Sequence, residues 1–161
     1  MFKINDYLVF KKDVCKVKKI KQYNNEDYYI LTPISDESLT INVPVSNKFN
    51  QIRSLITKEE VLNIIKEIPH IEEIKVQDRQ IEQEYKSLLQ NANHKDLIKI
   101  IKTAYSRNQK RLDENKKIGE KDNNYFNLAE KYLYTEFSIV LNMSYDETKE
   151  YVVNEVKKLT N

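Results

Sequence analysis

The period of the hydrophobic pattern changes once along this chain, near residue 54, and this change restricts the possible folds more than any other feature of the sequence. Before it, β-branched and aromatic residues recur at every second position in short segments that turn residues separate. After it, apolar residues recur every three to four positions. A period of two predicts strands and a period of 3.6 predicts helices, so we expect an α+β protein with two domains, residues 1–53 and residues 54–161.

The first domain contains four clear strand candidates, with room for a fifth. The candidates are residues 7–10, 14–20, 28–32 and 39–43. In the second candidate the alternation slips at Lys19, and the pair Asn24-Asn25 supplies a turn because asparagine tolerates positive φ. Pro44 ends the last candidate, since proline cannot donate to a ladder. So short a chain buries one face only if its sheet bends strongly, which predicts a small antiparallel barrel of the SH3 or Tudor type.

Capping residues mark where the helices of the second domain begin. Thr57 with Glu60, and Ser144 with Glu147, each form a capping-box pattern in which two backbone N–H groups are satisfied reciprocally. Gly119, the only glycine, marks a loop between charged residues. Together with the apolar stripes, these signals predict five helices, which begin at Thr57, near Asp78, at Asn93, near Asp122 and at Ser144.

The inventory of reactive side chains is small and offers no catalytic constellation. Cys15 is the only cysteine, so no disulfide can form within the chain, and the two scattered histidines, His70 and His94, complete no zinc site with it. A buried hydrophobic role suits Cys15, and both histidines are explained as surface or first-turn residues. A single glycine excludes a glycine-rich phosphate loop, and no apolar run approaches the ~20 residues of a membrane span. We therefore expect a cytoplasmic protein that is not an enzyme and uses no metal, cofactor or membrane.

The net charge of +2 hides an uneven distribution. Residues 1–53 carry nine Lys and Arg against six Asp and Glu, a net charge of +3, whereas residues 54–161 carry eighteen against nineteen. Within the second domain, residues 99–121 hold eight basic side chains against three acidic ones. The eight are Lys99, Lys102, Arg107, Lys110, Arg111, Lys116, Lys117 and Lys121. Such a run is either an ordinary solvated helix face or a surface that contacts phosphates without reading bases.

Five short stretches of the sequence are informative when they are taken together. They are residues 1–10, residues 39–44 (Leu-Thr-Ile-Asn-Val-Pro), Tyr85-Lys86, Arg107-Asn108-Gln109 and Gly119-Glu120-Lys121. In this order and spacing, followed by a helical tail, they resemble the CarD/CdnL family of bacterial transcription regulators over nearly the whole chain.

The resemblance implies a regulatory protein that catalyses no reaction. Members of this family dock on the β subunit of RNA polymerase through a Tudor-like N-terminal domain, and their helical domain contacts promoter DNA and tunes the open complex. The polymerase contact that the resemblance implies is the strand Leu39, Thr40, Ile41, Asn42, Val43 and Pro44. The DNA contact that we expect combines Ile81 and Lys86, at positions that the resemblance indicates, with the eight basic residues that the charge distribution indicates, and it should be weak and nonspecific. An edge strand with unpaired backbone groups suits the first task.

The sequence departs from the family pattern at residues that bear on mechanism. Members carry a tryptophan that wedges into the minor groove, but this chain has none, and Ile81 stands in its place. Ile81 shares a stripe with Tyr85 and Leu88, so it is either a core residue or an apolar wedge. Asn42 replaces the arginine of the docking strand. The alternative function is a Tudor- or SH3-like adaptor that binds another protein or RNA, with helices that serve for dimerisation or docking.

Overall fold

The computed structural model describes residues 1–161, and the chain divides into two compact units, Met1–Ile56 and Thr57–Asn161. The first unit holds an antiparallel sheet of five strands, and the second holds five α-helices with two short 3-10 turns. The predicted α+β class is therefore confirmed.

The sheet of the first unit is open. Its strands are β1 (Tyr7–Phe10), β2 (Asp13–Tyr23), β3 (Glu26–Pro33), β4 (Ile41–Pro44) and β5 (Ile52–Arg53). They lie in the order β4-β3-β2-β1-β5, and no pairing joins β4 to β5. The prediction of a closed barrel is wrong in this respect. Closure needs two edge strands long enough to pair in a staggered register, and β5 has only two residues, both of which pair with β1.

The hairpin of β2 and β3 contains the two irregularities that the sequence predicts. Asn24 and Asn25 both have positive φ, 51° and 63°, which is the geometry of a tight turn whose twist matches the flanking strands. The register between β2 and β3 shifts between Val17 and Lys19, where the alternation slips. A bulge of this kind bends the strand and increases its twist, so one face of a short sheet can cover a core.

All five strands contribute to one hydrophobic core. Its buried members are Leu8, Cys15, Val17, Tyr29, Leu31, Val43 and Ile52. The hydroxyl of Tyr29 accepts a hydrogen bond from the backbone N–H of Phe2 at 2.9 Å, and the two rings meet edge to face. The segment before β1 is therefore held against the core, and the polar end of the buried tyrosine is satisfied.

The helices begin close to where the caps predict. They are α1 (Lys58–Glu67), α2 (Ile81–Asn91), α3 (His94–Asp113), α4 (Glu120–Leu141) and α5 (Tyr145–Thr160), with 3-10 turns at Ile68–His70 and Asp78–Gln80. Both capping boxes are present, and the side chain of Asn93 accepts the N–H of Asp96 at the start of α3. Ala92 and Asn142 end α2 and α4 in the left-handed conformation. The five predicted helices are confirmed.

The second unit packs around α3 and α4. Each helix turns its apolar stripe inward, and Val61, Tyr85, Ile100, Leu133 and Phe137 are fully buried. In none of the helices is there an apolar stretch long enough to cross a bilayer.

Candidate functional site

Strand β4 holds four of the six residues that the resemblance assigns to docking, and it lies at one edge of the sheet. It pairs with β3 alone, so one side of its backbone has no partner in the sheet. Leu39 and Thr40 lie before the strand and not in it, and both are exposed. Leu39 is 52% exposed, and its N–H donates to the carbonyl of Asp36 in the turn that leads into the strand.

The backbone register of β4 identifies which of its groups face outward. Val45 N–H donates to Asp27 O at 2.9 Å, and this contact continues the register in which Tyr28 lies opposite Pro44. Because hydrogen-bonded and non-bonded positions alternate in an antiparallel pair, Val43 faces β3 while Asn42 directs its N–H and C=O away from the sheet. Pro44 also lies at an outward position, where its missing N–H costs the ladder nothing.

The side chains of β4 alternate in the same way as its backbone. Val43 is buried in the sheet core and Ile41 packs partly against it, whereas Asn42 is exposed. Inward side chains therefore anchor the strand to its own sheet, and the exposed Asn42 with Leu39 before it remains available to a partner strand.

The end of the sheet next to β4 carries further exposed apolar side chains. Lys48 pairs with Glu26 at 3.3 Å, which holds the loop after β4 against the β2–β3 turn. Phe49 in that loop and Tyr23 beside the turn are both well exposed. Exposed aromatic residues near an open strand edge are typical of protein-binding surfaces.

The arginines of the predicted basic surface are engaged inside the helical unit. Asp122, only 2% exposed, lies in the first turn of α4. It accepts hydrogen bonds from the hydroxyl of Tyr85 at 2.7 Å, from Arg107 Nε at 3.1 Å and from Arg111 Nη1 at 2.6 Å. One buried carboxylate thus joins α2, α3 and α4, and burial together with the bond to Asp122 raises the pKa of Tyr85.

Asn108 and Gly119 complete this cluster. Asn108 Oδ1 accepts the N–H of Gly119 at 2.7 Å and Arg111 Nη1 at 3.1 Å. A Cβ atom at position 119 would lie 1.8 Å from Arg111 Nη1, so any larger residue there would require the guanidinium to move from its present position. Residues from three stretches of the family resemblance, Tyr85, Arg107-Asn108 and Gly119, therefore belong to one hydrogen-bonded cluster around Asp122, where their contacts are structural.

Arg107 also links the cluster to the exposed carboxylate of Asp78. Arg107 Nη1 donates to Asp78 Oδ1 at 2.8 Å, and this hydrogen bond lowers the pKa of Asp78. This ion pair ties the 3-10 turn before α2 to α3. The sequence identifies Asp122 only as a helix start, because an acidic residue in a first turn is commonplace and no neighbouring residue distinguishes a buried one.

The lysines of the predicted surface differ in whether other groups of the chain already bind them. Lys102 Nζ donates to the carbonyls of Ile68 and Ile71 at 2.7 and 2.6 Å, and so caps the 3-10 turn after α1. Exposed ion pairs engage Lys86 and Lys121 with Glu82, and Lys116 with Glu114. Lys99, Lys110 and Lys117 make no ion pair within the chain. Of the predicted DNA contacts, these three are therefore the most available to phosphates.

Ile81 lies at the first position of α2 and is 7% exposed. Tyr85 and Leu88, on the same stripe, are buried with it. A wedge must insert its side chain between base pairs, and a buried side chain presents no surface for insertion. Of the two interpretations that the sequence leaves open, the structure places Ile81 in the core.

The cysteine and the two histidines are not among the residues of the β4 edge or of the basic run. Cys15 is fully buried, and burial, reinforced by the charge of Asp13, raises the pKa of its thiol to about 12. His94 Nε2 lies 2.8 Å from Glu136 Oε1, and its ring stacks on Phe137. His70 is exposed in the 3-10 turn after α1.

A scan of the chain against protein-family models matches none of them, and a search of curated proteins likewise finds no match.

Proposed function

We propose that this protein is a transcription regulator that docks on the β subunit of RNA polymerase through the edge of β4 and alters the stability of the promoter open complex. The observation that carries the proposal is the outward backbone of Asn42 on an edge strand preceded by the exposed Leu39. The resemblance of residues 39–44 to the docking strand of CarD/CdnL regulators supplies the partner. In this proposal the open, bulged sheet is a Tudor-like module.

Strand addition explains how so small a surface can be selective. A partner strand would bond the N–H and C=O of Asn42, while Leu39 occupies an apolar site on the partner. Each such hydrogen bond contributes about 0.5–1.5 kcal/mol net, so backbone pairing alone gives weak binding. The exposed Phe49 and Tyr23 provide apolar surface that can extend the contact.

The helical unit contributes a small, nonspecific DNA contact in this proposal. Lys99, Lys110 and Lys117 offer about three charges to phosphates, and the unit as a whole repels DNA because its net charge is −1, eighteen basic against nineteen acidic residues. Neutralising about three phosphates gives a log–log salt slope of roughly −3. The polymerase contact therefore dominates recruitment, and DNA contact only adjusts it.

Binding to purified RNA polymerase by Asn42→Pro tests the docking edge. The substitution removes an N–H that the sheet does not use, so the protein should stay folded while its polymerase affinity falls by about tenfold or more. The matched control is Asn42→Ala, which removes the side chain and keeps the N–H, and it should bind nearly as the unchanged protein does. Equal affinities for Asn42→Pro and Asn42→Ala would refute docking by strand addition at β4.

The lifetime of the promoter open complex, measured with and without the protein, tests the regulatory part of the proposal. We expect a change of lifetime that Asn42→Pro abolishes, because the effect requires docking. If the polymerase neither binds the protein nor responds to it, the alternative function is favoured: an adaptor that uses the same edge for another protein or for RNA.

A further inference from the structure

The five-stranded sheet has a second face, on the side opposite its hydrophobic core. On β2, Val17 lies in the core and Ile20 packs against it, one on each side of the bulge. Because side chains alternate along a strand, Lys16, Lys19 and Lys21 lie on the opposite face. The bulge therefore brings three lysines of one strand to the same side of the sheet, where a regular strand would have turned the last two inward.

Tyrosines of the neighbouring strands lie beside these lysines. Tyr7 of β1 is opposite Lys16, and Tyr28 of β3 is opposite Lys21. Directly opposed residues of antiparallel strands share a face, so rings and amines form adjacent rows. We call this surface the outer face, and it consists of Tyr7, Lys16, Lys19, Lys21, Tyr23, Tyr28 and Ile30.

The outer face is accessible and positively charged. Tyr7 is 39% exposed, Lys19 and Lys21 are exposed, and Tyr28 is half-buried. Lys16 Nζ lies 5.8 Å from the centroid of the Tyr7 ring. The three lysines make no ion pair within the chain.

Glu26 is the one acidic residue at the strand positions of this face, and it already has a cationic partner. Lys48 Nζ lies 3.3 Å from Glu26 Oε1, and the hydroxyl of Tyr28 donates to Glu26 Oε2 at 3.4 Å. The charge of the outer face is therefore that of its three free lysines. A surface of this charge attracts anions.

Aromatic rings between free lysines match the chemistry of single-stranded nucleic acid. Lysines pair with phosphates, and exposed rings stack on bases. The bases of a duplex are stacked on one another and present no free plane, whereas an acidic peptide pairs with the lysines and offers nothing to the rings. Lys16 and Tyr23 are separated by a stretch of β2 of roughly 20 Å. This length suits the lower end of the ~4–16 nucleotides that an OB-fold binds.

We propose that the outer face binds a single strand of nucleic acid, with bases stacked on Tyr7 and Tyr28 and phosphates paired with the three lysines. Neither contact reads the base or the 2′-hydroxyl, so DNA and RNA strands are equivalent ligands. A strand added at the edge of β4 extends the sheet in its own plane and leaves the outer face open. The proposal therefore does not depend on docking to the polymerase.

Lysines on an unpaired strand have a second known role. β1 pairs only with residues 13–16 of β2, so the later part of β2 has no ladder on that side. Charged side chains at such an edge prevent sheets from associating with one another. That role does not require the tyrosines, and it predicts self-association when a lysine is removed.

Fluorescence anisotropy with the full chain and labelled oligonucleotides tests the class of ligand. The probes are oligothymidylate, oligouridylate and a DNA duplex, each of about twelve nucleotides per strand, which exceeds the expected site. We expect dissociation constants on the order of 10 µM at low salt for both single strands, within about threefold of each other. The log–log salt slope should be roughly −2, because about three phosphates are neutralised.

Variants of Tyr7 test the stacking contact. Tyr7→Leu keeps apolar bulk and removes the ring, so affinity for both single strands should fall about fivefold or more, while affinity for the duplex should not change. Tyr7→Phe retains the ring and is the matched control, so it should bind nearly as the unchanged protein does. Tyr23, which the polymerase contact also uses, is left unchanged in these tests.

Variants of two lysines test the phosphate contact. Lys21→Ala should flatten the salt slope of single-strand binding by about 0.7. Lys12→Ala is the matched control, because it removes the same charge from the turn between β1 and β2, at the other end of β2 from Tyr23. It should leave the slope unchanged. Since Lys21 is exposed, this pair remains informative even if Tyr7→Leu weakens the sheet.

Four results would overturn the proposal. Equal single-strand affinities of Tyr7→Leu and Tyr7→Phe would exclude stacking, and equal slopes of Lys21→Ala and Lys12→Ala would exclude the phosphate contact. Displacement of the oligonucleotides by a polyglutamate peptide at equal charge concentration would identify a general cationic surface. Self-association of Lys21→Ala with unchanged oligonucleotide affinity would assign the lysines to protection of the strand edge.

Discussion

The edge of β4 and the basic surface of α3 differ in what their polar groups are doing. At the edge, Asn42 keeps its backbone N–H and C=O outside the ladder of its own sheet. On α3, Arg107 and Arg111 belong to the basic run of the sequence, but both bond to the buried Asp122. A group already satisfied inside the fold gains less from a partner, so we expect the less conspicuous edge to be the better binding surface.

Of the changes that test this comparison, removing Asp122 should have the largest effect on the free energy of unfolding. Asp122→Ala leaves Arg107, Arg111 and Tyr85 without their shared acceptor, and we expect a loss of about 3–5 kcal/mol in the free energy of unfolding, measured by urea titration. Asp113→Ala, at the exposed end of α3, is the control and should change stability by less than about 0.5 kcal/mol. A loss below about 1 kcal/mol for Asp122→Ala would mean that the arginines are held loosely and remain available to DNA.

Shortening Ile81 separates a core role from a DNA role. Ile81→Ala should cost about 2–5 kcal/mol of unfolding free energy, because the side chain is buried with Tyr85 and Leu88. The second measurement is the lifetime of the promoter open complex at a temperature where the variant is folded. We expect this lifetime to be the same for the variant and for the unchanged protein. A shortened open complex with unchanged stability would instead identify Ile81 as a wedge and restore the helical unit as a DNA-binding element.

Proline at neighbouring positions of β4 sharpens the description of the edge. Ile41→Pro removes an inward N–H and should destabilise the sheet by about 1–3 kcal/mol, whereas Asn42→Pro should leave its stability nearly unchanged. Cys15 reports this difference directly, since its buried thiol, with a pKa of about 12, reacts with a disulfide reagent at pH 8 only when the sheet opens. Faster labelling of Asn42→Pro than of Ile41→Pro would reverse the assigned register.

The smallest effects concern the lysines without ion pairs. Single changes of Lys99, Lys110 or Lys117 to Ala should each flatten the log–log salt slope of duplex DNA binding by about one unit, with stability unchanged. Lys102→Ala should behave in the opposite way, because its amine bonds the carbonyls of Ile68 and Ile71: stability falls and the salt slope stays. If none of the three lysine changes alters affinity or slope, the run is an ordinary solvated helix face.

Features of this fold that depend on neighbouring residues were predictable from the sequence. The capping boxes at Thr57 and Ser144 contain their own donors and acceptors within four residues. The bulge near Lys19 and the Asn24-Asn25 turn likewise follow from local alternation and from the tolerance of asparagine for positive φ. The burial of Ile81 follows from a stripe, but a stripe on one helix does not specify what covers it.

What the sequence by itself determined is therefore the two periods, the positions of the caps and the edge character of a short strand that proline ends. Tertiary structure alone decided that the sheet stays open and that Arg107 and Arg111 turn to Asp122. The physical reason is the distance along the sequence between the groups that interact. Periods and caps arise from groups within a few residues of one another, whereas Arg107 and Asp122 are fifteen residues apart along the chain and meet only when α3 and α4 pack.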